Sequence, residues 1–269
     1  MTNSSDKDLD SGFAARHNLW SAAQFEAGLA LLKRMTDDKL EVVRISFADQ
    51  HGILRGKTIT VSGLRSALKD GITMTSTMLL KDTSHRTVFP VWQEDAGFGA
   101  GQMSGASDIL MLPDPATFRV LPWSPHTGWM LADLYYTDGR PVPLSTRSIL
   151  QNAQKRLNDM GYQFIAGLEV EFHVFKLADQ PMNLADAGQP GTPPQVELLS
   201  QGYQYLTEDQ YDQMEDVFDL IRRNGEAMGL PVRTLEVEFG PSHCEVTFDP
   251  ADGLTQADNM MAFRSMVKQ

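Results

Sequence analysis

The pentapeptide Leu-Glu-Val-Glu-Phe occurs twice, at residues 168–172 within GLEVEFHVF and at residues 235–239 within TLEVEFGPSHCEVTF. Large apolar residues alternating with acidic ones fit a half-buried β-strand. Successive side chains of a strand point to opposite faces. Leu168, Val170, Phe172 and Val174 therefore share one face, and Glu169, Glu171 and His173 the other. In the second copy Leu235, Val237 and Phe239 turn inward, while Glu236 and Glu238 turn outward. After Gly240–Pro241–Ser242 the chain returns as HCEVTF. Cys244, Val246 and Phe248 resume the apolar face, and His243, Glu245 and Thr247 the polar one.

Glutamate is a poor strand former, and like charges at cross-strand spacing repel. A single such strand reads as an ordinary element with its acidic face in water. Two of them with a return arm call for a neutralising agent: protons at raised pKa, basic partners, or a metal. No Lys or Arg lies within either acidic segment. Oxygen-rich ligand sets suit Mg²⁺ and Mn²⁺, so a divalent-metal site handling phosphate is the sharper reading. His173 and His243 could ligate, but a lone strand histidine reads first as a hydrogen-bonded structural residue. Cys244 reads as core packing.

The formal charge of −12 disfavours a nucleic-acid backbone or an anionic membrane as the main partner. No apolar run approaches the ~20 residues that span a bilayer. The single cysteine fits a reducing cytoplasm. Residues 1–17 read as a disordered leader, and 18–36 as an amphipathic helix. Val43, Ile45 and Phe47 alternate with polar neighbours, Asp49 to Gly52 supply turn chemistry, and a second strand around Thr58–Val61 completes a hairpin. On its own, Asp49 is a turn residue bonded to its own backbone. Residues 95–106 read as a glycine-rich mobile loop. Helices are expected over Ser145–Met160 (with Ile149, Leu150, Ala153 and Leu157 on one face), about Tyr211–Met228, and from Leu254 onward.

The stretches VRISFADQHGILRGK, SDILMLPDPATFRVLPW, DLYYTDGRPVPLSTRSIL, GLEVEFHVF and EVEFGPSHCEVTFDPADGLTQADNMMAFRSMVK, in that order, resemble the glutamine synthetase family. This family of nitrogen metabolism includes ligases that join glutamate to amines other than ammonia. The resemblance implies an α+β fold: a β-grasp N-terminal domain over residues 18–118, then part of a catalytic α/β domain over 119–269. It implies a cytoplasmic homo-oligomer of stacked rings with sites between subunits. It also implies ATP-dependent attack of the glutamate γ-carboxylate on the terminal phosphate, giving an acyl phosphate that ammonia or an amine converts to the amide. Two Mg²⁺ or Mn²⁺ ions would neutralise the phosphate charge.

Carried over by motif, Glu171, Glu238 and Glu245 are similar to ligands of the metal nearest glutamate, and Glu169 to a ligand of the nucleotide-side metal. Asp49 stands where the family places an aspartate that helps bind and deprotonate the incoming ammonium. Where the family usually has Gly-Pro-Gly-Gln, this chain has Gly-Pro-Ser-His, with Ser242 and His243 substituted. The Phe-Asp-Gly-Ser-Ser stretch of ammonia-using members is not found, which favours another amine. Family members continue past the helix ending at Gln269, so the chain reads as C-terminally truncated and inactive by itself. The alternative is a non-catalytic paralogue or fragment binding metal or partner subunits; a metal-dependent hydrolase is a third reading.

Overall fold

The computed structural model describes residues 9–37, 39–93, 103–178 and 183–269. The chain divides into two compact units, Met1–Tyr162 and Gln163–Gln269. Most of the stretch expected as a mobile glycine-rich loop, residues 95–102, lies outside the described residues, as do residues 1–8.

The first unit opens with a short helix α1 (Phe13–Arg16) and a long helix α2 (Ala22–Asp37). The expectation of a disordered leader to residue 17 does not hold for its described part. Leu9, Phe13 and Ala14 are apolar enough to be drawn into the main core, where they are buried. The predicted hairpin forms as β1 (Val42–Ala48) and β2 (Leu54–Thr60), followed by α3 (Val61–Asp70). Then come β3 (Ile72–Thr75), β4 (Asp108–Pro113), β5 (Arg119–Leu121) and β6 (Ser124–Tyr135).

Among the described residues the sheet order is β2-β1-β6-β4-β3, with β5 also on β6. The β1–β6 pairing is parallel and the others are antiparallel. Val43, Ile45 and Phe47 alternate into a core shared with Leu64, Leu68 and Met130. This is a β-grasp arrangement: a mixed sheet with a helix packed on its apolar face. The sheet runs through residue 118, the boundary read from the sequence, because β6 is paired to both β1 and β4. Packing parts the units only after α4 (Thr146–Asp159), which the left-handed Gly161 (φ 85°) ends. The apolar stripe predicted on α4 is not buried: Ile149 and Leu157 are exposed.

The second unit contains β7 (Ile165–His173), a small hairpin β8 (Phe175–Leu177) with β9 (Val196–Leu198), α5 (Glu208–Ala227), β10 (Val232–Val237), β11 (His243–Asp252) and α6 (Gly253–Lys268). Three strands form an antiparallel sheet in the order β10-β11-β7. Met214 and Phe218 of α5 pack on Val237 and Cys244, and Phe263 of α6 meets Phe172 and Phe248 edge-on. One face of this sheet is thereby covered, and the acidic face is the other. Among the described residues no helix is long and apolar enough to cross a membrane.

Candidate metal centre

The two Leu-Glu-Val-Glu-Phe copies do not pair with each other. The return arm β11 lies between them and pairs with both. Its register sets Glu245 directly opposite Glu171 of β7 and opposite Glu236 of β10, so three carboxylates cross the sheet in one row. One step along, Thr247 faces Glu169 and Thr234, and the two threonine hydroxyls are hydrogen-bonded. One step the other way, His243 faces His173, and the Glu238 N–H donates to the His243 carbonyl at 3.0 Å.

Such a row of like charges is destabilising unless something offsets it. Glu245 is the most enclosed of the four expected ligands, at 8 % exposure. Its pKa is pushed up to about 7, first by burial, then by a hydrogen bond shared with Glu238, then by the charges of Glu169, Glu236 and Glu238. Among the described residues no Lys or Arg pairs with Glu169, Glu171, Glu238 or Glu245; the one ion-pair contact is His243 Nε2 to Glu171 Oε2 at 3.3 Å.

Ligand atoms converge in two sets, each lying within 4.8 Å of one another: Glu169, Glu171 and Glu245, and Glu171, Glu238 and His243. A hard divalent cation fits this donor set, and the unbalanced charge on Glu245 is what such an ion would relieve. The four expected glutamates lie close together, and a hydrogen bond between Glu238 and Glu245 links the two sets. Glu171 belongs to both sets, Glu169 stands with Glu245, and Glu238 stands with His243.

Phe239, expected inward, is 57 % exposed. The β10 ladder ends at Val237, so strand alternation does not extend to residue 239. The loop before α5 takes over there. Tyr203 N–H donates to Phe239 O at 2.7 Å, and its ring meets Phe239 at 5.7 Å and 85°. Tyr205 on the same loop faces the acidic row. The charge of Glu238 above all, then burial, then Glu236, Glu245 and Glu169 raise its phenol pKa. Nothing in the sequence pattern marked this loop. A cavity of about 430 Å³ opens beside β7, with Glu171, His173, Phe175, Phe263 and Arg264 among its lining.

The Gly240–His243 turn has a consequence for sequence reading. Ser242, where the resemblance leads one to expect glycine, holds a left-handed φ of 51°. Its Oγ accepts from the Leu199 and Ser200 N–H groups at 2.8 and 3.3 Å, which offsets the backbone cost.

Asp49 lies in the first unit, at the β1–β2 turn, and is 1 % exposed. Its Oδ1 accepts from the His51 and Ile53 N–H groups, both at 2.9 Å, and its Oδ2 from Arg55 Nε at 2.6 Å. Burial pushes its pKa up, but the Arg55 hydrogen bond and the two backbone donors outweigh it and leave the carboxyl below its ordinary value.

A sequence profile described as glutamine synthetase, catalytic domain, matches residues 143–269. Over 263 residues the chain is 38 % identical to the γ-glutamylanilide synthase of Acinetobacter sp, covering 96 % of this chain and 53 % of that protein. The chain belongs to the glutamine synthetase family. The Methanosarcina mazei glutamine synthetase is 31 % identical over 242 residues, 88 % of this chain and 47 % of that one. The Plasmodium falciparum glutamine synthetase structure superposes with a TM-score of 0.65 at 17 % identity, covering 90 % of this chain and 47 % of that one, which shows the shared fold. The chain spans about half the length of the curated relatives it matches.

Proposed function

We propose that this chain carries the acidic side of the metal centre of an ATP-dependent glutamate–amine ligase. In this reading the γ-carboxylate oxygen attacks the terminal phosphorus of ATP and ADP leaves. The amine nitrogen then attacks the γ-carbonyl carbon, phosphate leaves, and the nitrogen gives up a proton. The observation that carries the reading is the cross-strand carboxylate row, Glu171–Glu245–Glu236, flanked by Glu169 and Glu238, with no Lys or Arg among the described residues paired to Glu169, Glu171, Glu238 or Glu245. Among the curated relatives, the γ-glutamylanilide synthase, a glutamate–isopropylamine ligase and a γ-glutamylethanolamide synthetase favour an amine larger than ammonia as acceptor.

Glu171 and Glu245, with Glu169 on one side and Glu238 on the other, would hold the divalent ions, Mg²⁺ or Mn²⁺. When bound, the ions supply positive charge to the phosphate oxygens as phosphoryl transfer proceeds. The carboxylates fix where that charge sits, because the antiparallel ladder sets their spacing rather than flexible loops. The enclosed position of Glu245 keeps water from competing for its oxygens. Asp49 shapes the hairpin turn through Arg55, and any use of its carboxylate toward an amine goes through that ion pair. The homo-oligomeric ring remains part of the reading, on family grounds.

The test is hydroxylamine trapping of the acyl phosphate. In a protein that joins this chain to the remaining length found in its relatives, ATP, glutamate and Mn²⁺ are expected to give γ-glutamyl hydroxamate, and Glu171→Gln to abolish it. Hydroxamate formation that persists in Glu171→Gln, or that never occurs with that joined protein, overturns the reading.

A further inference from the structure

His243 is the one nitrogen donor in the two converging sets, and it stands where the family pattern usually has glutamine. We propose that His243 Nε2 ligates the divalent ion held by Glu171 and Glu238, biasing that position toward first-row transition metals over Mg²⁺; the inference rests on the metal-centre reading above.

Donor atoms around one small cation at ~2.0–2.3 Å lie roughly 3–4.5 Å from each other. The Nε2 of His243 lies 3.3 Å from Glu171 Oε2, and the three ligand atoms lie within 4.8 Å. Glu238 is tied to the same place through its N–H on the His243 carbonyl, so the backbone links two donors of the set.

The imidazole is also held at a fixed tilt. Its ring stacks on His173 at 4.4 Å and 16°, and Phe175 stacks on His173 in turn at 5.8 Å and 4°. The His173 ring is fixed by Nδ1 against the Pro241 carbonyl at 2.8 Å. Gly240 leaves the space that this stack needs: a Cβ there would come within 3.0 Å of both His243 Nδ1 and His173 Cε1. His173 is therefore a positioning residue for His243. The stack thus holds the His243 imidazole with Nε2 toward Glu171 and within 4.8 Å of a Glu238 oxygen.

Ligand chemistry gives the direction of the effect. Glutamine offers a hard amide oxygen at this position, whereas imidazole nitrogen suits the later first-row ions such as Co²⁺ and Zn²⁺ and adds little for Mg²⁺ or Mn²⁺.

The experiment is pulsed electron paramagnetic resonance of Mn²⁺ bound to the full 269-residue chain, with calorimetry of Mn²⁺, Co²⁺ and Mg²⁺ binding. Wild type and His173→Phe, which keeps a ring in the stack, are expected to show ¹⁴N modulation from a directly bound nitrogen. His243→Gln should lose it, bind Co²⁺ about tenfold or more weakly, and hold Mg²⁺ within about twofold of wild type. Unchanged modulation and affinities in His243→Gln overturn the role of His243 and leave the metal centre standing. A wild-type chain that binds none of the three ions overturns both.

Discussion

Glu171 and Glu245 face each other across the β7–β11 ladder, one carboxylate exposed and the other almost fully enclosed. Glu245 makes one pH-dependent contribution to the stability of the metal-free protein. Folding raises the Glu245 pKa from 4.5 to about 7, so the native state binds the proton more tightly than the unfolded chain. Its contribution to stability is fully present below pH 4.5 and is lost as pH rises through about 7. Urea unfolding in a chelator should therefore give a lower stability at pH 8 than at pH 5.5 from this group, and Glu245→Gln should flatten the difference. A slope unaltered by the substitution would contradict the assignment.

Divalent metal should reverse that loss. Saturating Mn²⁺ at about 100 times its Kd is expected to add about 2.7 kcal/mol at pH 8 by mass action. Thermal unfolding with and without Mn²⁺ checks this; Glu171→Gln, which removes the residue shared by both donor sets, should cancel most of the gain.

Ser242 separates a backbone effect from a side-chain effect. Ser242→Ala keeps the unfavourable φ and removes the acceptor for two buried N–H groups, a loss of about 1–3 kcal/mol. Ser242→Gly loses the same bonds but relieves the left-handed strain, by about 1 kcal/mol. Denaturant unfolding should rank stability as wild type, then glycine, then alanine. Alanine equal to wild type would show that the Oγ contacts contribute nothing.

For Asp49 the structural and chemical roles give different readouts. Asp49→Asn breaks a buried pair with Arg55 and should cost on the order of 3 kcal/mol in stability. Because the carboxyl sits below its ordinary pKa, that stability is present above about pH 4 and lost on acidification. A rise in KM for the amine beyond that for ATP would assign it a part in amine binding; equal changes in both would leave it a clasp of the hairpin.

Cys244 offers a reporter of unfolding. Burial pushes its thiol up to about 12, so a thiol reagent at pH 8 should label the native chain far more slowly than the urea-unfolded chain. Equal rates would show that the β11 core face is open.

The period-two pattern of Leu168–His173 was legible because that strand is covered on one face only, so burial alternates as the side chains do, whereas in β11 Glu245 is buried along with Cys244 and Val246. The same rule failed at Phe239, where the ladder had already ended and a loop from another part of the sequence had taken its place. The resemblance named four glutamates, but not how close His243 would stand to them. Register between β7, β10 and β11 is a property of the folded sheet, and it brings His243 beside Glu171 and Glu238. Leu9 and Phe13 were misread as leader because a few apolar residues in a polar stretch carry no periodicity until a core is there to receive them. Tyr205 lay in a segment without periodicity, and only folding brings its phenol to the carboxylates.

The parallel pairing of β1 with β6 joins Val42 to Thr127. A ribosome making about 5–20 residues per second needs several seconds, ~4–17, to deliver the second partner after the first. For that interval the β1 edge that β6 later covers is open, and Val43, Ile45 and Phe47 lack much of the cover they have at the end. The nascent chain therefore passes through a stage in which a short apolar strand can pair with a neighbouring polypeptide. Growth temperature, translation speed and chaperone supply should then govern the yield of folded protein more than its final stability does.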